Sequence, residues 1–257
     1  MSDAPDTLSL ERYNILGRVG EGGMASVFLA RRIGAAEPVI IKVLHQHLAE
    51  NDVVAHRFLR EAQVAATLDH PHIAKLSDAG REGELFYIAM EHISGQELER
   101  VMHQHIRERR IMDPGVVLRI SDDVLSALQY AHTFTDSDGE HLRIVHRDLS
   151  PRNVLVDFSG HAKVIDFGLV RTNLGDFRTT PGMVMGTLRY MSPEQAVAEE
   201  VDQRSDLYTW AVVLWEALTG RLLVPTGKPA DILKSVVADA VPLVSQVNPA
   251  LPSAVAL

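Results

Sequence analysis

Three side chains that could hold a proton and a divalent cation lie close together in the middle of this sequence. Asp148 and Asn153 are five residues apart in the stretch VHRDLSPRNVL, and Asp166 follows thirteen residues after Asn153, at the start of a D-F-G tripeptide. Carboxylate and amide oxygens are the ligands that Mg²⁺ prefers in proteins. This set is typical of phosphoryl transfer, in which positioning and charge neutralisation carry most of the catalysis.

A glycine cluster near the N-terminus is a second candidate for contact with phosphates. The run GEGGMASV over residues 20–27 is close to the pattern G-x-G-x-x-G-x-V, except that Ala25 replaces the third glycine. Glycines let a backbone approach phosphate oxygens closely, although an ordinary hairpin turn can have the same composition. A dinucleotide-binding fold would need a helix after the glycines, whereas residues 27–30 continue as a strand. The pattern therefore predicts a flap between two strands.

A lysine inside an apolar strand is the third candidate. Lys42 lies in PVIIKVL, 22 residues after Gly20. Burial of an ammonium group is costly unless an anion meets it, and Glu61 on the following predicted helix is the natural partner. The alternative is a surface lysine on an edge strand, which is common.

The elements that must position these residues change in character along the chain. Residues 1–12 are polar and predict a flexible lead-in, whereas residues 13–92 carry strand signals, including runs near 73–76 and 85–90, and one helix over 53–68. Residues 93–257 are mostly helical. We therefore predict an α+β chain with a join near residues 91–94.

Shorter features mark the helix-rich part. Residues 133–142 are polar and predict a loop, and residues 157–160 predict a hairpin turn directly after the candidate base. Residues 171–185 lack periodicity and predict a mobile segment. A buried helix is predicted over 207–218, with an apolar face formed by Leu207, Ala211, Leu214, Trp215 and Leu218.

Composition excludes several classes of function. The 257 residues contain no cysteine, which excludes disulfides, thiolate zinc sites and a cysteine nucleophile. A net charge of −9 argues against a dominant role in binding nucleic acid. The N-terminus lacks the regions of a secretory signal, and no apolar run is long enough to cross a membrane. We expect a cytoplasmic segment with no membrane contact, although a native chain that continues beyond Leu257 could be anchored there.

The order of these motifs resembles that of the eukaryotic-like protein kinases, particularly the bacterial serine/threonine kinases. The resemblance runs from about Tyr13 to the C-terminus, and six matches in one order make coincidence very improbable. It implies a bilobal protein kinase-like fold, with a small antiparallel β-sheet N-lobe (13–92) that has one main helix and a mostly helical C-lobe (93–257). The matching residues are Gly20, Gly22 and Val27; Lys42; Glu61; the stretch 146–153; Asp166 with the two residues after it; and GTLRYMSPE over 186–194.

The resemblance also implies a role for each catalytic candidate. Asp148 would accept the proton of a substrate hydroxyl, Lys42 would hold the α- and β-phosphates of ATP, and Glu61 would orient Lys42. Asn153 and Asp166 would hold Mg²⁺.

The nucleotide would lie among residues of the strand-rich part. The glycine flap, with Gly20, Glu21, Gly22 and Gly23, would cover the phosphates. Val27 and Ile40 would sandwich the adenine. The backbones of Glu91 and Ile93 would pair with its edge, and Met90 would line the pocket behind it.

An arginine directly before the candidate base suggests control by phosphorylation. A phosphate on Thr179 or Thr180 would pair with Arg147 and order residues 171–190, because a phosphorylated side chain is a strong partner for guanidinium. Self-association for autophosphorylation would fit this control. The alternative is that both threonines are ordinary solvated loop residues.

Four departures from the family pattern stand out. Ser150 replaces the usual lysine two residues after the base, and Arg152 is the cation that could take its place beside the γ-phosphate. Ile40 replaces a small residue and would tighten the adenine slot, and Ala25 would stiffen the flap. The stretch 241–257 has no basic residue to pair with Glu194, so we expect the last helices of the family to be missing.

Three functions remain compatible with the sequence. The first is an active protein serine/threonine kinase that uses ATP and Mg²⁺ and acts on Ser/Thr hydroxyls of protein substrates. A kinase-like small-molecule phosphotransferase would share the base and metal ligands but should lack the segment at 186–194. A pseudokinase or scaffold is the non-enzymatic alternative, motivated by Ser150, Ile40 and the expected missing helices.

Overall fold

The computed structural model describes residues 8–167 and 188–252, except for the side chain of Glu61. Within these ranges the chain forms two compact units, of which the first extends to Ile93 and the second begins at Ser94. No helix in these described ranges is both long enough and apolar enough to cross a membrane.

The first unit contains a five-stranded antiparallel sheet. Its strands are β1 (Tyr13–Glu21), β2 (Ala25–Arg32), β3 (Pro38–Leu44), β4 (Leu76–Glu82) and β5 (Leu85–Glu91). They lie in the order β1-β2-β3-β5-β4. A short helix α1 (Gln46–Ala49) and a longer helix α2 (Asp52–Ala65) follow β3, and Asn51 caps α2 by accepting hydrogen bonds from its first amides.

The two faces of this sheet bury different side chains because residues in a strand alternate. On one face, Phe86, Ile88 and Met90 of β5 pack with Phe58 and Ala62 of α2. On the other face, Tyr87 and Ala89 pack with a cluster from the first three strands that includes Tyr13, Phe28, Ala30, Ile41 and Val43. Helix α2 therefore covers one face of the sheet, and the strands themselves form an apolar cluster on the other face.

The sequence placed one strand of this sheet incorrectly. A strand was predicted near 73–76, whereas β4 begins at Leu76. Ile73 and Leu76 are both buried, so they gave an apolar signal, but the continuous strand begins only at Leu76. The true strand, LSDAGRE, is polar because it lies at the edge of the sheet.

The second unit is mostly helical. Its longer helices are α3 (Leu98–Arg107), α4 (Pro114–His132), α6 (Gln203–Thr219) and α7 (Pro229–Ala238), and its short ones are α5 (Pro193–Ala196) and α8 (Val244–Val247). A small antiparallel sheet has the order β6-β7-β8, with β6 at Gly95–Glu97, β7 at Val154–Asp157 and β8 at Ala162–Val164. The predicted hairpin at 157–160 joins β7 to β8.

Helices α4 and α6 form the centre of this unit. Asp113 and Asp202 cap their N-termini, and α6 ends at Gly220, whose φ of 66° is the left-handed conformation that favours glycine. Indole Nε1 of Trp210 donates to Ser121 Oγ of α4 at 2.9 Å, which joins the two helices. The bond between Trp210 and Ser121 holds the middle of α4 against the first half of α6.

The apolar face predicted for α6 was partly wrong. Leu207 is 45% exposed and Ala211 is exposed, whereas Trp210, Val212 and Val213 are buried. The helix is apolar on several sides, so periodicity did not select one face. Asp206 is also buried on this helix and bonds the backbone of His146 and Arg147.

Gly95 allows β6 to approach β7 closely. A Cβ atom at this position would lie 2.2 Å from the carbonyl oxygen of Val156 and 2.7 Å from Cα of Asp157. Both are backbone atoms, so they cannot rotate away as a flexible side chain could. Only glycine therefore fits the observed spacing.

We predict that Gly95→Ala lowers the free energy of unfolding by about 1–3 kcal/mol, the usual cost of overpacking a close contact. Urea denaturation measures it. Gly17→Ala is the matched control, because a Cβ at Gly17 has no atom within 4 Å. Equal stability of the two variants would contradict the prediction.

Candidate active site

The candidate base and one candidate metal ligand lie on a single tight turn of the second unit. Asn153 ends a short 3-10 helix (Pro151–Asn153), and its side-chain Nδ2 donates to the carbonyl oxygen of Asp148 at 2.7 Å and lies 3.4 Å from Asp148 Oδ2. The amide nitrogen thus faces Asp148. Oδ1 is then the atom of Asn153 that can bind a metal ion.

Asp166 is joined to this turn through its neighbour in the chain. The N–H of Ile165 donates to the carbonyl oxygen of Asn153 at 2.9 Å. Asp166 itself has a φ of 66°, a left-handed conformation that Asp tolerates better than most residues. One carboxylate and one amide oxygen on adjoining backbone segments fit a Mg²⁺ ion, which commonly takes only one or two protein oxygens besides substrate phosphates.

His146 connects the loop to the backbone before Asp166. Its Nε2 lies 2.9 Å from the carbonyl oxygen of Ile165, and its Nδ1 accepts from the N–H of Asp148 at 3.3 Å. Since a carbonyl only accepts, Nε2 carries the proton and the ring is held in one neutral tautomer. The ring also packs on Phe167, with centroids 4.8 Å apart.

A buried carboxylate on α6 holds the backbone that precedes the base. Asp206, only 1% exposed, accepts from the N–H of His146 and from the N–H of Arg147, each at 2.9 Å. His132 at the end of α4 contacts the same carboxylate, with Nε2 2.8 Å from Oδ2. Arg147 has a φ of 68°, so this anchor holds a strained residue directly before Asp148.

The glycine cluster forms the predicted hairpin of the first unit. Gly20 pairs with Val27 across β1 and β2, and Gly22 N–H donates to the carbonyl oxygen of Ala25 at 2.8 Å. The N–H of His45 donates to the carbonyl oxygen of Met24 at 2.8 Å, which ties the hairpin to the end of β3. The prediction that a strand, and no helix, follows the glycines is confirmed.

Glu21 is already engaged inside this hairpin. Its Oε2 lies 2.6 Å from Nη2 of Arg18, and the same guanidinium donates to Ser26 Oγ at 3.3 Å. The carboxylate of Glu21 therefore braces the two strands. The contact predicted between Glu21 and the phosphates would use its backbone N–H, because a carboxylate repels phosphate.

Strand register places Lys42 and the proposed adenine residues. Lys42 pairs with Val27 of β2 and with Ile88 of β5, and Ile40 pairs with Met90. By alternation, Lys42 shares the sheet face of Ile40 and Leu44, which is the face covered by α2. The alternative of an edge-strand lysine is wrong, because β3 lies in the middle of the sheet.

The backbone N–H of Glu91, at the end of β5, already has a hydrogen-bond acceptor. It donates to the carbonyl oxygen of Lys75 at 2.9 Å, and Glu91 Oε2 accepts from the N–H of Lys75 at 3.0 Å. An adenine edge could therefore pair with the carbonyl oxygen of Glu91 and not with its N–H. Met90 is buried, as expected of a residue behind a pocket.

The match to known proteins covers nearly the whole chain. Residues 13–253 match the family model described as protein kinase domain. The chain belongs to the protein kinase family. The fold prediction is confirmed, both by this match and by the antiparallel sheet of the first unit and the helices of the second.

Individual relatives come from bacteria. The chain is 38% identical over 210 residues to the tyrosine-protein kinase MasK of Myxococcus xanthus, covering 80% of this chain and 32% of MasK. It is 36% identical over 244 residues to the serine/threonine-protein kinase PrkC of Bacillus subtilis, covering 95% of this chain and 36% of PrkC. The chain thus spans about a third of the length of these curated relatives.

A solved structure shows a similar fold. The crystal structure of the Mycobacterium tuberculosis PknI kinase domain superposes with a TM-score of 0.69 at 27% identity. The similarity covers 97% of this chain and 86% of the PknI chain.

Several predicted features of this chain lie outside the described part of the structure. These are the side chain of Glu61, the glycine that completes the D-F-G tripeptide, the segment 171–185 predicted to be mobile, with Thr179 and Thr180 in it, and the first two residues of the run at 186–194. The pairing of Lys42 with Glu61 and the control by Thr179 or Thr180 therefore stay predictions.

Arg152 has a defined partner in this kinase. Its Nε donates to Glu99 Oε2 of α3 at 2.8 Å, while Ser150 is buried. The role predicted for Arg152 at the γ-phosphate stays a prediction, and it would fall to the guanidinium nitrogens other than Nε.

The carboxylate of Glu194, for which the sequence predicts that the usual arginine partner is missing, has a hydrogen-bond partner of another kind. Its Oε1 accepts a hydrogen bond from Ser205 Oγ at the start of α6. Burial alone would raise the pKa of Glu194, but this hydrogen bond and its other donors outweigh burial and lower the pKa. The serine thus supplies a polar contact for the carboxylate within the described residues.

The residues that hold the stretch 146–153, called the catalytic loop below, were not predicted. Asp206 and His132 are 60 and 14 residues from His146 in the sequence, and no local motif joins them to it. A weak signal existed, because Asp206 directly precedes the helix predicted over 207–218 to be buried, and a charged residue beside a buried helix needs a polar partner.

Glu216 is a second buried carboxylate on α6. It is 2% exposed, accepts from Tyr190 Oη at 2.8 Å and accepts from the N–H of Leu223 at 3.0 Å. Burial raises the pKa of Glu216, and the hydrogen bonds only partly offset this effect. The folded protein therefore holds a proton on Glu216 to a higher pH than the unfolded chain does.

We predict that the stability of the wild type relative to Glu216→Gln falls as the pH rises through 4.5 toward the raised folded pKa, and then levels off. The sign follows because the folded state binds more protons in that window. Urea denaturation of both proteins between pH 4 and 8 measures the difference.

Glu108→Gln serves as a control of opposite sign. A hydrogen bond from Gln104 is the main cause of a lowered pKa at Glu108, so its contribution is present above pH 4.5 and is lost on acidification. A stability difference for Glu216→Gln that rises with pH would contradict the assignment.

Proposed function

We propose that this chain transfers the γ-phosphoryl group of ATP to serine or threonine hydroxyls of proteins. The observation that carries the proposal is the turn on which Asn153 Nδ2 bonds the backbone of Asp148, 2.7 Å away, while the Asn153 carbonyl is bonded to the residue before Asp166. Membership of the protein kinase family supports the reaction class. Relatives named serine/threonine-protein kinases support the choice of acceptor.

In the proposed reaction, Asp148 accepts the proton of the acceptor hydroxyl. The hydroxyl oxygen bonds to the γ-phosphorus as the bond between that phosphorus and the oxygen bridging to the β-phosphate breaks. Asn153 Oδ1 and Asp166 would hold Mg²⁺, which supplies charge neutralisation at the phosphates. Lys42 would hold the α- and β-phosphates, oriented by Glu61. The glycine hairpin with Gly20, Gly22 and Gly23 would cover the phosphates.

The domain boundaries and the adenine contacts are part of the same proposal. The kinase domain would run over 13–257, with lobes 13–92 and 93–257. Val27 and Ile40 would enclose the adenine, and the Glu91 carbonyl and the Ile93 backbone would pair with its edge.

We predict that Asp148→Asn lowers kcat at least 100-fold, since general-base catalysis typically contributes about 10²–10⁴-fold. The Kd for Mg-ATP should change less than about twofold, a limit below 0.5 kcal/mol. Transfer of radiolabel from ATP to casein and isothermal titration measure the two quantities. Asp122→Asn, an exposed position on α4, is the matched control.

Each outcome of this experiment has a meaning. Full transfer by Asp148→Asn would contradict the base assignment. ATP binding without any transfer by the wild type would favour a scaffold. Phosphoamino-acid analysis of the product distinguishes serine or threonine from tyrosine, which matters because MasK is named a tyrosine kinase.

We further propose that phosphorylation of Thr179 or Thr180 activates the enzyme through Arg147. The double variant Thr179→Ala/Thr180→Ala should lose about tenfold in kcat, the value of one charge-assisted hydrogen bond of about 1.5 kcal/mol. Steady-state kinetics after preincubation with Mg-ATP measures the effect, with Thr133→Ala on the surface as control. Unchanged turnover in the double variant would exclude activation by phosphorylation of Thr179 or Thr180. A rate of self-phosphorylation per molecule that rises with protein concentration would support self-association.

A further inference from the structure

The side chain of Gln195, a residue of the short helix α5, joins the start of that helix to the catalytic loop. Its Nε2 donates to the carbonyl oxygen of Arg147 at 2.6 Å, across 48 positions of sequence. Its Oε1 accepts from the N–H of Ser192 at 3.0 Å and lies 3.3 Å from Ser192 Oγ. Both ends of this amide are therefore occupied by different segments of the chain.

The orientation of the Gln195 amide follows from its partners. The N–H of Ser192 can only donate, so it requires the oxygen end of the amide. The carbonyl of Arg147 can only accept, so it requires the nitrogen end. A flipped amide would place like groups against each other at both ends. Ser192 Oγ also accepts from the N–H of Gln195 at 3.4 Å, completing a capping box that fixes the turn.

The carbonyl that Gln195 holds belongs to the peptide bond directly before the base. The N–H of that peptide, on Asp148, donates to His146 Nδ1 at 3.3 Å. The preceding peptide donates from Arg147 N–H to Asp206 Oδ1 at 2.9 Å. The left-handed Arg147, with a φ of 68°, is thus bonded on one side by Asp206 and on the other by Gln195.

This arrangement makes the position of Asp148 depend on a residue outside the loop. A non-glycine residue at positive φ is strained and persists only when its surroundings hold it. If the bond to the Arg147 carbonyl is lost, rotation of that peptide displaces the residue that follows. An error of about 1 Å in a catalytic group can cost about 100-fold in rate.

We propose that Gln195 is a positioning residue that couples the turn at residues 192–195 to the orientation of Asp148. The coupling passes through one peptide bond. Its effect on turnover rests on the proposed function, whereas its effect on the loop backbone does not.

The discriminating variant is Gln195→Glu. Glutamate keeps the shape of glutamine and the acceptor for Ser192, but it places a second acceptor against the Arg147 carbonyl. We expect kcat to fall at least tenfold while KM for Mg-ATP stays within twofold. Gln129→Glu, at an exposed position on α4, makes the same chemical change and should leave both values unchanged. Gln195→Met, which removes the hydrogen bonds without adding charge, should also lower kcat with KM unchanged.

Hydrogen exchange tests the backbone directly and without turnover. In wild type the amides of Arg147 and Asp148 should be protected, and in Gln195→Glu and Gln195→Met their exchange should quicken at least tenfold. Exchange in β5 of the first unit should not change, which separates local loosening from global unfolding. Gln129→Glu should match the wild type.

The outcomes separate this proposal from the proposed function. A wild type without transfer would refute the proposed function, yet faster loop exchange in the Gln195 variants would still support the coupling. Unchanged exchange at Arg147 and Asp148 in both Gln195 variants would overturn it. A rise in KM that accompanies the fall in kcat would show a structural role only and would overturn the proposal. Faster exchange throughout the protein would do the same.

Discussion

The hydrogen bonds from the catalytic-loop backbone to the carboxylate of Asp206 are the constraint on which the second unit depends. A buried carboxylate is costly unless it is fully hydrogen-bonded. Asp206 meets this requirement with two backbone amides and with the ring of His132. Because those amides belong to His146 and Arg147, the start of α6 fixes the loop that carries Asp148. The helix needs the loop to satisfy its charge, and the loop needs the helix to hold its strained residue.

In the first unit, the pairing register of β3 with its neighbouring strands, and not a buried carboxylate, positions the candidate residues. The central position of β3 gives Lys42 a strand on each side, and the same pairing aligns Ile40 with Met90. The glycine hairpin is attached to β3 through the bond between His45 N–H and the carbonyl of Met24. The proposed phosphate-binding and adenine-binding residues thus share one sheet whose two faces are packed. A slip of one residue in β3 would exchange the faces of Lys42 and Ile41.

Sequence reasoning succeeded where the signal is local. The hairpin around the glycines, β3, β5 and helix α2 follow from periodicity and turn residues close in the chain. Failure occurred at β4, whose edge position makes it polar, and on α6, whose burial on several sides hides its inward face. Asp206 could not be placed because its loop partners, His146 and Arg147, are 60 and 59 residues away. Contacts of that kind depend on tertiary packing, which one sequence without an alignment does not reveal.

The presence of Ser150 and Arg152 in the loop, in place of the usual lysine, changes where positive charge can act. Ser150 is buried and uncharged, so it cannot replace a lysine beside a phosphate. Arg152 is charged, but Nε is bonded to Glu99, and the pair as a whole carries no net charge. In the proposed reaction, most of the neutralisation of the γ-phosphate would then come from the magnesium that Asn153 and Asp166 would hold, while Lys42 would neutralise the α- and β-phosphates. Arg152 can add to it only by donating from its terminal nitrogens while Glu99 keeps Nε, a geometry that also fixes the direction of its guanidinium plane.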